Sequence, residues 1–334
     1  MDQYPPAHDL RQARIRIRFG FVYAVGKEFS LCLMTSPARH LSLTAFFTLL
    51  LIALMMGANH VAARLAFNSG LDVATAVASR SLVTAAVVGL ILFLNRVPLQ
   101  PDARQRRGLL VVGLLVGIQS QCLYSAVARL PVALALLAFN TYPMWTALWD
   151  RLIYKRAPER AVLLAMPVIL LGLALALDVL GATSGLGSVG QWQRIGSGVA
   201  FALAAAATFG LALVLTQHET AGLDGRVRTA GTMVLTGLMA LGVMGMQGGP
   251  HWPQAVVGWW GLAALTFLYG TAFTIMFTVL PRLGVAGNSA IMNVEPVFAL
   301  VLAWAILGQA IAPVQIGGAL LVVGAVMWLG LRKR

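Results

Sequence analysis

Charge is what this sequence has least of. Only 10% of its 334 residues are Asp, Glu, Lys or Arg, and the acidic ones number 11. So few charges against 59% apolar residues and a mean hydropathy of +0.82 exclude an ordinary soluble fold. Cysteine is nearly absent. Cys32 and Cys122 cannot build a disulfide framework, and their spacing is no metal motif. Alternation of polar and apolar residues in segments of about ten, the mark of an outer-membrane barrel, is missing as well. Enzyme signatures are also lacking: there is no His-Glu-x-x-His, no paired Asp motif, no Gly-x-Ser-x-Gly and no Gly-rich phosphate loop with Lys. Gly117-Ile-Gln-Ser120 is a weak echo of a nucleophile turn with no base beside it. No cofactor or metal ligand set is expected.

What is present is a series of long apolar runs. Spanning the hydrocarbon core takes about 20 mostly apolar residues, and ten stretches qualify. They fall roughly at 44–67, 73–95, 108–128, 131–154, 161–181, 195–216, 229–247, 255–281, 284–308 and 311–331. Lipid offers unpaired backbone groups no partner, so runs of this length must be helices. The expected class is an all-α membrane protein of ten transmembrane helices.

The net charge of +13 could point to nucleic acid, but its distribution follows membrane topology instead. Lys and Arg cluster before the first span, after the second (Arg96, Arg104, Arg106, Arg107), after the fourth (Arg151, Lys155, Arg156, Arg160), and again at Arg226, Arg228, Arg282 and Arg332 to Arg334. Twenty lie on one side; Arg64, Arg80, Arg129 and Arg194 lie on the other. The positive-inside rule then puts both termini in the cytoplasm, which an even number of spans satisfies. Residues 1–42 read as a disordered basic segment. Arg14-Ile-Arg-Ile-Arg18 as an arm for anionic lipid, or a translation start at Met34, are the alternatives. No cleavable signal peptide is evident.

Shifting the chain by 153 positions aligns spans three and four with eight and nine, gap-free from Leu115 to Trp149. The pairs that carry weight are Gly117/Gly270, Arg129/Arg282, Asn140/Asn293 and Pro143/Pro296, because apolar matches are cheap in a membrane protein. Two five-helix repeats are expected, residues 43–182 and 195–331. An odd number of helices per repeat means that the second inserts upside down relative to the first, an arrangement typical of carriers with a site near the midplane.

The stretch Asn293-Val-Glu-Pro-Val-Phe-Ala-Leu-Val-Leu-Ala-Trp-Ala-Ile-Leu-Gly308, followed by Ala312-Pro-Val-Gln-Ile-Gly-Gly-Ala-Leu-Leu321, resembles the drug/metabolite transporter superfamily, specifically its EamA-type ten-helix bacterial branch. The resemblance covers about residues 44–331. Gln309 stands where that branch often has Glu, and Met56 stands where a Trp often precedes Gly57-Ala-Asn-His60. The resemblance implies transport of a small metabolite, amino acid or drug, in a superfamily that exports or imports; the reading adopted is a bacterial inner-membrane permease working by alternating access as an exporter. A structural or regulatory membrane protein could keep the same fold.

Glu295 is the first candidate for chemistry. It precedes Pro296 about halfway along the ninth span, where an ionisable side chain costs on the order of 3 kcal/mol unless it faces a cavity or partner. It is a candidate for proton coupling, with a structural carboxyl at the kink as the alternative. Tyr142 is its repeat partner, and the two Asn-x-x-Pro turns at Asn140 and Asn293 are expected to meet near the midplane. Asn59, His60, Arg80, Gln121, Tyr124 and Tyr269 complete the candidate substrate set. Arg64 and Arg80 could bind a carboxylate or phosphate, which favours an uncoupled facilitator or exchanger for organic anions; snorkelling to the interface or pairing with Asp72 or Asp178 is the plainer expectation. Asp150 reads as an interface ion pair with Arg151 and Lys155. Trp252, Trp259 and Trp260 suit an aromatic belt. Small residues at Gly317, Gly318 and Gly324 permit close helix approach, within the chain or in a homodimer.

Overall fold

The structure is a computed structural model that describes residues 43–156, 160–178, 180, 187–278, 294–309 and 312–332. Its elements are all helical: α1 (Leu43–Asn68), α2 (Val73–Leu94), α3 (Ala103–Arg129), α4 (Val132–Phe139), α5 (Tyr142–Tyr154), α6 (Arg160–Ala176), α7 (Gly187–Glu219), α8 (Gly225–Met246), α9 (Val256–Thr278), α10 (Glu295–Leu307) and α11 (Pro313–Arg332). Counting α4 and α5 as one run, seven helices are long and apolar enough to cross a membrane. Three shorter apolar helices accompany them, Leu163–Ala176, Glu295–Leu307 and Pro313–Trp328. Apolar side chains such as Leu164, Leu171, Phe267 and Trp304 are more than half exposed, as lipid-facing positions are.

Two boundaries differ from the hydropathy reading. α3 begins at Ala103 rather than near 108, because Asp102 and Gln105 form a capping box over a polar first turn. α7 begins at Gly187 rather than near 195. Its first turns are polar and carry no apolar signal, yet buried Gln191 donates from Nε2 to the Leu177 carbonyl at 3.0 Å and ties them to the end of α6.

The repeat is visible helix by helix. α5 and α10 match residue for residue at the offset of 153. Their N-caps, Thr141 and Val294, have nearly the same backbone angles, and their C-caps, Lys155 (φ 58°) and Gly308 (φ 63°), are both left-handed. Pro143 and Pro296 sit in the first turn, where a missing N–H costs nothing. The fourth span is therefore not one kinked helix but two, broken at Asn140-Thr141, since Pro143 cannot donate to the preceding turn and disfavours helical geometry before it. Likewise Glu295 opens α10 instead of sitting in mid-helix. Residues 279–293, Asn293 and the expected meeting of the two Asn-x-x-Pro turns among them, lie outside the described residues.

Helix packing maps onto itself under the same relation. α3 packs along α7 as α1 packs along α9, and α5 lies on α7 as α10 lies on α1. α2 crosses α8 and α6 crosses α11, each pair being its own counterpart. Two glycines 153 residues apart bring helices together at backbone distance. A Cβ on Gly57 would stand 3.0 Å from the Glu295 carbonyl and 3.1 Å from the Ala299 amide nitrogen; one on Gly210 would stand 2.8 Å from the Thr146 amide nitrogen. Gly318 similarly lets α11 touch α6 at Gly172, whereas Gly317 and Gly324 have open space.

The halves run in opposite senses. The Arg64 Nη1 donates to the carbonyls of Val127 (2.7 Å) and Leu130 (3.4 Å), so α1 and α3 end on one face of the bundle. On that face the Gln254 amide donates to the Ser69 carbonyl at 2.8 Å, which places the start of α9 there. α9 is the counterpart of α3 and runs the other way. The opposite face carries the start of α3 and the ends of α5 and α7, joined through Glu219: Arg104 Nε donates to its Oε2 at 2.8 Å and the Tyr154 hydroxyl to its Oε1 at 2.9 Å. Arg96, Arg106, Arg107, Arg151, Lys155, Arg156, Arg226 and Arg228 all gather at this Glu219 face.

Candidate functional site

Polar side chains on α1, α2, α3, α9 and α10 meet inside the bundle, nearer the face that carries Asp72. Asn59 and His60 lie nine and eight residues before the end of α1, and Arg80 lies eight residues into α2; at about 1.5 Å per residue these are depths of roughly 10–14 Å. Tyr124 of α3 is the hub. Its hydroxyl donates to Asn59 Oδ1 at 3.0 Å, and its ring meets the His60 ring edge-on at 5.7 Å between centroids. The Arg80 guanidinium carbon lies 4.5 Å from the Tyr124 ring centroid and 3.8 Å from that of Tyr269 on α9. His60 Nε2 is 3.3 Å from Glu295 Oε1, close enough to share a proton. The Glu295 charge is also within electrostatic range of the Tyr124 and Tyr142 hydroxyls.

All of these except Glu295 are shut away from solvent. Asn59, His60, Arg80, Tyr124 and Tyr269 are at most 5% exposed, whereas the Glu295 side chain is 22% exposed. Several buried atoms in and beside the cluster have no hydrogen-bond partner among the described residues: Asn59 Nδ2, His60 Nδ1, Arg80 Nε, Ser81 Oγ, Gln121 Nε2 and Thr236 Oγ1. Buried polar atoms are rarely left unpaired, because each costs about 1–3 kcal/mol. Gly57 sets the geometry, since only a missing side chain brings α10, with Glu295 at its tip, onto α1 within reach of His60.

Six of the ten residues singled out from sequence are thus brought into direct contact: Asn59, His60, Arg80, Tyr124, Tyr269 and Glu295. Gln121 sits one turn from Tyr124 on α3. Asn140 and Tyr142 lie outside this set of direct contacts, Tyr142 bordering it through Glu295. They occupy the break between α4 and α5, where the Tyr142 ring packs on Phe139 and Phe209. The position 153 residues after His60 is Leu213, and Tyr142 stands where the other half has Glu295, so the ionisable pair exists in one half alone.

Three expectations about charged side chains are corrected. Arg80 neither snorkels nor pairs with an aspartate; it is buried over two tyrosines. Arg64 donates through Nη1 to carbonyls at the end of α3, while Asp72 caps α2 through the Thr75 amide and accepts from the His251 amide at 2.9 Å. Asp150 makes no ion pair among the described residues, and its Oδ1 is buried without a partner. Sequence reasoning missed Met233, which accepts from the Tyr269 hydroxyl at 3.7 Å, and the hydroxyls of Ser81 and Thr236. A methionine carries no polar signal, and most hydroxyls in such helices bond back one turn, as Thr84 does to the Arg80 carbonyl.

Comparison with known proteins agrees with this architecture. The EamA-like transporter family matches residues 43–177 and again residues 196–331. The chain belongs to the EamA-like transporter family. As an EamA-like protein it is a multi-pass membrane transporter, with a small-molecule substrate and a lipid bilayer as its surroundings. No match was found among curated proteins. A solved structure described only as a crystal structure of a protein is similar over 87% of this chain and 99% of its own, with a TM-score of 0.55 and 20% identity, which bears on the EamA-like fold alone. Gln309, where the resemblance leads one to expect Glu, holds the two repeats together: its Oε1 accepts from the Val132 amide at 3.1 Å and closes the start of α4.

Proposed function

We propose that this protein is a secondary carrier of ten spans, with both termini in the cytoplasm, that exports a small solute across the bacterial inner membrane by alternating access. The observation that carries the reading is a buried polar cluster assembled from both inverted repeats and lying between two separately fastened faces. Inversion makes the outward-open and inward-open arrangements near-equivalents, which is what a carrier needs. The basic Glu219 face is the cytoplasmic one by the positive-inside rule.

Glu295 is the proton-coupling group in this reading. It is the acid of the cluster, it is partly reachable, and the groups that face it are His60, Tyr124 and Tyr142. Loss or gain of its proton changes whether His60 is held, and with it the contact between α1 and α10. Glu295→Gln is expected to fold and to bind solute but to lose the response of flux to a pH gradient in proteoliposomes. Wild-type pH dependence in that variant would end the coupling role, and absence of flux for the wild-type chain across amino acids, organic acids, phosphorylated metabolites and cationic drugs would end the carrier reading.

A further inference from the structure

We infer that the ligand of the buried cluster is an anion whose carboxylate or phosphate group pairs with the guanidinium of Arg80. The inference rests on the carrier reading of the same site and adds the chemistry of what it takes. Arg80 is 4% exposed and lies about two turns inside the bundle, and among the described residues no carboxylate comes within 4 Å of it. A buried guanidinium without a counter-ion is expensive. Its contacts with the rings of Tyr124 and Tyr269 offset only part of that cost.

Both rings lie against the guanidinium carbon, and on its N–H edge Nε is buried with no partner among the described residues. That edge is a planar fork, matched to two oxygens of one carboxylate or phosphate. The neighbouring unmet atoms are complementary to the same ligand. Asn59 offers Nδ2 while its oxygen is held by Tyr124, and Gln121 offers Nε2 one turn along α3. Both are donors, and together they ask for acceptor oxygens. The acid of the cluster, Glu295, is engaged by His60 and is no counter-ion to Arg80.

The test uses the full chain purified in detergent, with thermal unfolding read from tryptophan fluorescence. The probes are matched pairs: benzoate against benzamide, leucine against leucinamide, phenyl phosphate against phenol, with isoamylamine as a cation and phosphatidylglycerol as a lipid anion. At least one soluble anion is expected to raise the unfolding temperature while its uncharged or amidated partner does not. Arg80→Gln is expected to weaken that binding about tenfold or more, as loss of a charge-assisted hydrogen bond does. Arg80→Lys, which keeps the charge without the fork, is expected to retain part of it. Arg80→Met is expected to unfold no earlier than the wild type, because it removes an unpaired buried charge, so the loss of binding is not a loss of fold.

The carboxylate and phosphate pairs tell the two acids apart. No anion-selective shift across the panel, an anion shift unchanged in Arg80→Gln, or a shift given by phosphatidylglycerol alone would each overturn the inference. The two readings fail separately: an anion that binds at Arg80 but is never carried sinks the carrier and leaves the site, whereas flux of amines or neutral compounds without anion binding does the reverse.

Discussion

The Tyr124 hydroxyl shows how much of the site rests on single atoms. It is buried, it fixes the orientation of the Asn59 amide, and its ring supports both His60 and Arg80. Tyr124→Phe keeps the ring but leaves Asn59 Oδ1 unsatisfied, and is expected to destabilise the protein by about 1–3 kcal/mol. Asn59→Ala in the same background is expected to cost much less than it does alone, because the orphaned oxygen leaves with it; unfolding temperatures of the two single variants and the double variant measure the coupling. Asn59, His60, Arg80, Tyr124, Tyr269 and Glu295 stand out in the sequence, since polar groups in hydrocarbon are costly and have to be accounted for. Their partners are not legible there. Whether Arg80 reaches the interface or folds back over Tyr269 depends on where α9 lies, and α9 is nearly two hundred residues away in the chain.

Helix ends and crossings carry the next level of control. Gly57 and Gly210 are crossing points where α1 meets α10 and α7 meets α5 at backbone distance. Gly57→Ala puts a methyl group against the Glu295 carbonyl and the Ala299 amide, and is expected to cost about 1–3 kcal/mol in unfolding free energy, with a loss of flux because the tip of α10 moves off His60. Flux retained at the wild-type rate would mean that the spacing is not what positions Glu295. At the end of α5, Lys155 holds a left-handed conformation that its counterpart Gly308 adopts without strain. Lys155→Gly is expected to leave stability unchanged or raise it by up to about 1 kcal/mol, read from the unfolding temperature. Asp224 begins α8 by accepting from the Arg226 amide, and the Arg226 guanidinium beside it holds its carboxyl below the usual aspartate range. Its contribution is therefore present above the ordinary aspartate range and lost as the pH falls through the lowered value. Asp224→Asn is expected to differ from wild type near neutral pH and to converge with it in acid, which unfolding curves at several pH values would show. Caps at Asp102 and Asp224 follow residue patterns that can be read in sequence, but the true starts of α3 and α7 were hidden by polar first turns.

Across the described helices, two fastened faces lie on either side of the polar cluster. One is fastened by the Gln254–Ser69 contact and by Asp72 on His251, the other by Arg104, Tyr154 and Glu219. Alternating access requires each fastening to release in turn. With Cys32 and Cys122 replaced by serine, cysteines at Ser69 and Gln254, or at Arg104 and Glu219, are therefore expected to cross-link under oxidant and to stop flux until reductant is added; flux untouched by either cross-link would show that neither face opens. The sequence by itself determined the solvent, the helical class, the repeat at an offset of 153 and the side on which the basic residues collect, because each is a matter of composition or spacing along the chain. Only the tertiary structure decided which polar groups meet. The two halves are threaded in opposite senses and interleaved, so that the His60 and Glu295 pair joins the first span of one half to the ninth span of the chain. Contacts between segments that lie far apart in the chain leave no periodicity to read, and packing alone brings them within hydrogen-bond reach.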